Sequence, residues 1–131
     1  MANGTIAFDI LQTSGQITGT AKSVDTDYLA SGSAKSWLQY NQVTPAITGS
    51  LNISTVTDTG AGDFIPNFSN AMSALTYAVP SAGGMLNTDA SGRISETNPT
   101  NTSSYQVTTT NSGGTKADHT GNSSSTFGDL A

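Results

Sequence analysis

The chain has 131 residues, no cysteine and a formal net charge of −5 from four basic and nine acidic side chains. Ser, Thr, Asn and Gly supply 63 residues, and only 10% of the chain is charged, against roughly 25% in an ordinary globular domain. The four basic residues, scattered as Lys22, Lys35, Arg93 and Lys116, cannot neutralise a nucleic-acid backbone, and anionic membrane surfaces are equally poor partners. Without cysteine there is no disulfide framework, thiolate zinc site or cysteine nucleophile. No apolar run approaches the roughly 18 residues of a spanning helix. The N-terminal MANGTIAFDILQ has neither a basic region nor a long apolar core, so no secretory signal is read there. The length suits one domain, and 34% hydrophobic residues with so little charge suit a folded chain.

Thr, Ser, Val, Ile and aromatic residues outweigh strong helix formers, and no stretch of ten residues shows helical periodicity. Residues 5–11 (TIAFDIL) alternate and predict a strand with Ile6, Phe8 and Ile10 on one face. Residues 12–34 are polar and read as an arm or linker. Residues 35–41 (KSWLQYN) predict a strand with Leu38 and Tyr40 on one face and Trp37 and Gln39 on the other. A short edge strand is expected at 44–48, beside Pro45. Residues 51–57 (LNISTVT) predict another strand, with Leu51 and Ile53 together.

Residues 58–63 (DTGAGD) have the glycines and capping aspartates of a hairpin loop. Residues 63–68 (DFIPNF) place Phe64, Pro66 and Phe68 on one face, and the missing amide of Pro66 predicts an edge or locally distorted strand. One helical turn is expected at 70–75 and a strand at 76–79, stopped by Pro80. Residues 81–103 read as a long loop with a short pairing around Arg93-Ile94-Ser95. Tyr105, Val107 and Thr109 alternate along a strand, followed by a turn at 111–115. Together these elements predict an all-β fold, an antiparallel β-sandwich of about six or seven strands at 33–131, preceded by an extended arm at 1–32.

Several segments, in order, resemble a module found in tail fibres and related virion proteins of marine bacteriophages. They are Ser33-Ala-Lys-Ser-Trp37 through Tyr40-Asn41, Leu51-Asn-Ile-Ser-Thr-Val-Thr-Asp58, Gly60-Ala-Gly-Asp-Phe64 and Asn67-Phe-Ser-Asn-Ala-Met72. Tyr77-Ala-Val79, Ser104-Tyr-Gln-Val-Thr-Thr, Asn111-Ser-Gly-Gly-Thr115 and Phe127-Gly-Asp129 complete the set. The lead-in Gly4-Thr-Ile-Ala-Phe-Asp-Ile-Leu-Gln-Thr13 is similar to the segment that precedes such modules. The resemblance implies a sandwich similar to the H-type lectin fold, often trimeric, displayed on the virion surface. Two departures stand out. Pro66 replaces a β-branched residue, and residues 122–127 are far more polar than the family's Val-rich run, which leaves the last strand little to bury. With 32 residues before the module there is no shaft, so a small separate virion component, or a tip mounted on something else, is expected.

Candidate chemistry is sparse. His119 is the only imidazole, without the Gly-Xaa-Ser-Xaa-Gly elbow of a hydrolase, and reads as an exposed loop histidine. Three copies meeting on a trimer axis could hold an ion, which is the lesser reading. Asp25, Asp27, Asp58 and Asp63 offer loop oxygens but lack EF-hand spacing, so they read as turn caps rather than a Ca²⁺ site. Glu96 and eight aspartates, mostly in turns, give no pair for glycoside cleavage. Tyr40 and Tyr105 are expected in the core, whereas Trp37, facing away from Tyr40, is the candidate for a subunit interface. Asn-Xaa-Ser/Thr triplets, among them those at Asn52, Asn67, Asn101 and Asn122, are what chance gives in so Ser/Thr-rich a chain.

The expectation is therefore a non-enzymatic phage virion protein without metal or cofactor, assembled in the host cytoplasm. It is a homotrimer bound to other virion proteins, of tail or capsid, through Ile6, Phe8, Ile10 and Leu11, an apolar cluster whose strand edge needs a partner. Host attachment as a tail-fibre-like module leads; capsid decoration or a head fibre, and a free carbohydrate-binding lectin, are the alternatives. The loop at 81–103, with the only arginine, Arg93, is the expected receptor contact, its Ser, Thr and Asn matching sugar hydroxyls.

Overall fold

The computed structural model describes residues 16–18, 23–25, 29–30, 32–84 and 94–131. Ile6, Phe8, Ile10, Leu11 and Arg93 lie outside the described residues. Within the stretch read as a linker, β1 (Gln16–Thr18) and β2 (Ser23–Asp25) pair as a separate antiparallel hairpin. The remaining strands are β3 (Ser36–Asn41), β4 (Ala46–Leu51), β5 (Ile53–Gly60), β6 (Asp63–Phe68), β7 (Ser81–Gly84), β8 (Ile94–Asn101), β9 (Ser104–Thr110) and β10 (Gly121–Thr126). They form two four-stranded antiparallel sheets, ordered β4-β3-β10-β7 and β5-β6-β9-β8. This is the expected all-β sandwich.

Period-2 alternation decides what faces inward. Leu38 and Tyr40 of β3, Ile53 of β5, Phe64 and Phe68 of β6, and Tyr105 and Val107 of β9 are buried, joined by Met72, Tyr77 and Val79 from the connection after β6. Each large side chain buried here contributes roughly 1.5–3 kcal/mol by leaving water. One aromatic contact links the two sheets and two more pack within the second sheet and its connection. The Tyr40 and Phe64 ring centroids are 4.9 Å apart, and Phe68 lies 5.6 Å from Tyr77 and 5.5 Å from Tyr105.

Several local expectations change. Residues 51–57 are not one strand, because Asn52 sits at φ 55°, in the left-handed region that asparagine tolerates. Its side chain accepts from the Asn70 amide at 2.7 Å and donates to the Asn70 carbonyl at 3.1 Å. Leu51 consequently ends β4, half exposed, while Ile53 opens β5 and is buried. β6 is an interior strand rather than an edge, yet its ladder to β9 skips Ile65 and Pro66 between Phe64↔Val107 and Asn67↔Ser104. Phe68 donates its amide to Ser103 O, and two residues earlier the ring of Pro66 removes the amide pointing the same way. The expected distortion is thus accepted inside the sheet, because the proline ring itself fills core space.

Residues 70–75 form bends, not a helical turn, with Met72 bridged to Leu130, and 76–79 makes only a single bridge, Ala78 to Phe127. The described residues of the 81–103 stretch are mostly sheet: β7 and the eight-residue β8 occupy its ends, and β8 pairs along β9 as a hairpin closed by Thr102 and Ser103.

The largest correction concerns the polar last strand. β10 lies between β3 and β7, and Asn122, Ser124 and Thr126 point inward and are buried. Hydrogen bonds substitute for the missing apolar groups. The Ser36 and Thr126 hydroxyls lie 2.8 Å apart across the ladder, and the Ser124 hydroxyl is 2.6 Å from the Tyr105 hydroxyl of the opposite sheet.

Burial drives the Tyr105 hydroxyl up to about 12, with the Ser124 bond a smaller opposing influence, and burial alone drives Tyr77 up to about 12. Both values lie above the ordinary 10.0, so the folded state holds these protons more tightly than the unfolded one. Their contribution is complete below pH about 10 and is lost as pH rises towards about 12. Unfolding titrations between those limits are expected to show falling stability, with a shallower fall in Tyr105→Phe. At neutral pH Tyr105→Phe leaves Ser124 without its tyrosine partner and costs about 1–3 kcal/mol. The double variant with Ser124→Ala should cost less than the two single changes added together.

Candidate functional site

The outer face of the β4-β3-β10-β7 sheet carries the most distinctive surface feature. Register places Leu51, Trp37 and Ser125 in one row across β4, β3 and β10, and Gly49, Gln39 and Ser123 in the next. Trp37 is 41% exposed, although the sheet's other face is packed against the core. Its indole leans over β4. A methyl group at position 49 would come within 3.1 Å of Trp37 Cζ3 and 3.2 Å of Cη2, so the glycine there is the seat of the ring. On the β10 side the ring borders a shallow depression of about 420 Å³, also lined by Gln39, Pro80, Ser123 and Ser125. Pro80 forms the far side, and its carbonyl accepts the Ser125 amide. Trp37 therefore faces outward, as alternation predicts. The groups sharing its depression come from distant sequence, and strand pairing alone assembles them.

A second feature adjoins it. Val43, Ile47 and Leu51 are 54%, 39% and 49% exposed along the β4 border of the sandwich. β4 is an edge strand whose residues are exposed or half-buried on both faces. The ladder to β3 shifts between Gln39 and Tyr40, leaving Thr48 as an extra residue in a bulge. The exposure of this border is not visible in the sequence, because a strand of this pattern would bury one face if a neighbour covered it.

The remaining candidates are structural. His119 is 5% exposed, not a surface loop residue, because the chain after the 111–115 turn folds under the end of the sandwich. Its Nε2 lies 3.3 Å from Thr110 O, and its carbonyl accepts the Gln42 amide and the Asn122 side-chain amide, both at 3.0 Å. Such burial offers no route to a shared axis. Nearby, the Gly62 amide donates to Asp118 Oδ1 at 2.7 Å, and the Thr109 hydroxyl donates to Ala117 O at 2.9 Å. Gly62 has φ 74°, and a methyl there would lie 2.4 Å from Thr109 O, so only glycine fits.

Asp58 accepts the Gly60 amide at 3.0 Å, capping its own turn. Asp63 accepts the Thr108 hydroxyl at 2.7 Å and pairs with Lys116. Among the described residues no three His, Asp or Glu side chains converge as a metal site. Glu96 borders a smaller polar hollow of about 210 Å³ with Thr97, Asn98, Gln106 and Thr108, and no second acid lines it.

No family model, curated protein or solved structure matches the chain.

The Lys116 hydrogen bond, with a smaller one from Thr108, holds the Asp63 carboxyl below its ordinary 3.8 against an opposing push from burial. A lowered folded value means that the contribution is present above the unfolded 3.8 and is lost as pH falls through the folded value. Acid unfolding of Asp63→Asn should therefore be shallower than wild type below pH about 4. Lys116 is exposed, so the whole effect stays within about 1 kcal/mol.

Proposed function

We propose that the chain is a non-enzymatic structural protein of a bacteriophage particle, a tail-fibre-like surface module that forms homotrimers and takes part in host attachment. The observation that carries this reading is the β4 border. Seven large apolar side chains are exposed among the described residues, and three of them, Val43, Ile47 and Leu51, lie on β4 and the turn before it. Leu51 shares the outward face of Trp37 and Ile47 the face of Tyr40, so the border exposes apolar side chains on both sides of its edge, and such exposure marks an interaction surface. The bulge at Thr48 and Pro45 at the strand's start blunt the edge against simple strand addition, so contact runs through side chains. A border meeting a different surface of the next copy closes as a ring under cyclic symmetry. The polar, weakly charged Ser/Thr/Asn exterior suits display on a particle and contact with host glycans. Ile6, Phe8, Ile10 and Leu11 supply the apolar cluster of sequence that docks the module on a tail or capsid protein.

Two measurements test this reading separately. Light scattering at micromolar concentration should give three times the 13.3 kDa chain mass, falling to one chain in Ile47→Asp. A monomeric wild type would remove the trimer. For docking, Phe8→Asp should leave the sandwich's melting unchanged and abolish incorporation into particles. Normal incorporation of that variant would remove the arm's role.

A further inference from the structure

Trp37 is the only tryptophan in the chain, and it stands on the solvent side of a sheet whose core is complete without it. The surroundings hold it there: glycine at position 49 gives the ring a flat seat, and Leu51 flanks it in the same cross-strand row. Gln39, next on the same face of β3, presents an amide, Ser123 and Ser125 of β10 present hydroxyls, and Pro80 supplies the opposite side. None of these residues is charged. We infer that this depression is a binding site for a neutral pyranose unit of a glycan.

The chemistry follows from the shape of a sugar. A pyranose ring has an apolar face of C–H groups and a rim of hydroxyls. The first stacks on an aromatic face, and the second needs partners that both donate and accept. An indole supplies the first surface. The Gln39 amide and the serine hydroxyls supply the second kind of group in both senses. The uncharged lining favours a neutral sugar over a sialic or uronic acid, which would need a cation such as arginine. A volume of about 420 Å³ lies within the range of small-ligand sites. Its open side leaves room for the rest of a longer chain.

A second copy of the protein is the rival occupant, since the β4 border adjoins Trp37. The serine hydroxyls lie on the β10 side of the ring, away from that border, and favour the sugar, while the Gln39 amide oxygen reaches towards Gly49 of β4. The inference deepens the host-attachment reading and rests on it only for where the sugar is carried; binding itself is measured on the purified chain. Failure of sugar binding would leave the trimer and docking results standing, and their failure would leave sugar binding standing.

As the single tryptophan, Trp37 reports on its own site. The full chain is titrated with methyl glycosides of glucose, galactose, mannose and N-acetylglucosamine. Trp37 emission, acrylamide quenching and calorimetry are followed. At least one glycoside should shift emission to the blue and protect the indole from quenching in a saturable way. Trp37→Ala should weaken calorimetric affinity about tenfold, the scale of one lost aromatic contact. Gln39→Ala, an exposed change that leaves the core untouched, should weaken it several-fold. Gly49→Val, which crowds the indole, should weaken it as well. The inference is overturned if no glycoside alters emission or quenching at concentrations that fill a millimolar site. It is equally overturned if Trp37→Ala binds sugar as wild type does, or if its main effect is to dissociate the oligomer.

Discussion

The hydroxyl pair between Tyr105 of β9 and Ser124 of β10 joins the two sheets at the middle of the sandwich, 2.6 Å apart and buried. Much of the architecture depends on it, because β10 brings only Asn122, Ser124 and Thr126 to the core. Buried hydroxyls without partners would each cost about 1–3 kcal/mol. Tyr105 supplies both what β10 lacks and what it needs: a ring that packs against Phe68 and a hydroxyl that reaches Ser124. Ser36 does the same locally for Thr126. With these partners in place, so polar a strand can sit between β3 and β7 and carry both.

A second set of hydrogen bonds closes one end of the sandwich. Gly62 of the β5–β6 turn, Thr109 of β9, Gln42 of the β3–β4 turn and residues 117–122 bind one another largely through backbone groups. The Thr110 hydroxyl and the Asn122 carbonyl oxygen are buried there without a hydrogen-bond partner among the described residues. This end directs its polar groups inward. Of the large apolar groups left exposed among the described residues, Trp37 lies on β3 and Ile47 and Leu51 on β4. The Trp37 face and the β4 border are thus left available for partners.

The site was only half legible in advance. Alternation along 36–41 already aims Trp37 away from Tyr40, since that inference needs nothing beyond the strand's own period. The seat at Gly49 and the company of Pro80, Ser123 and Ser125 require the register of β3 with β4 and β10. Nothing local specifies that register. His119 shows the same limit. A lone histidine after a Gly-rich turn reads as exposed, and only the folding of residues 116–120 against Thr110 and Gln42 buries it.

What the sequence determined by itself is the kind of structure: strands over 35–41, 63–68 and 105–110, the turns between 58 and 63 and between 111 and 115, and hence an all-β sandwich. These follow from side-chain periodicity and from the backbone freedom of glycine, both of which act over a few residues. Tertiary structure alone decided where polar strands could go. Residues 94–101 become a long strand only because β9 offers a ladder, and 121–126 becomes a central one only because Tyr105 and Ser36 meet its hydroxyls. Pro66 sits inside a sheet because its ring fills the core where its missing amide interrupts the ladder to β9. Burying a hydroxyl or losing a ladder bond is unfavourable in isolation. Whether it is tolerated depends on partners distant in sequence, and those are fixed only when the two sheets close on each other.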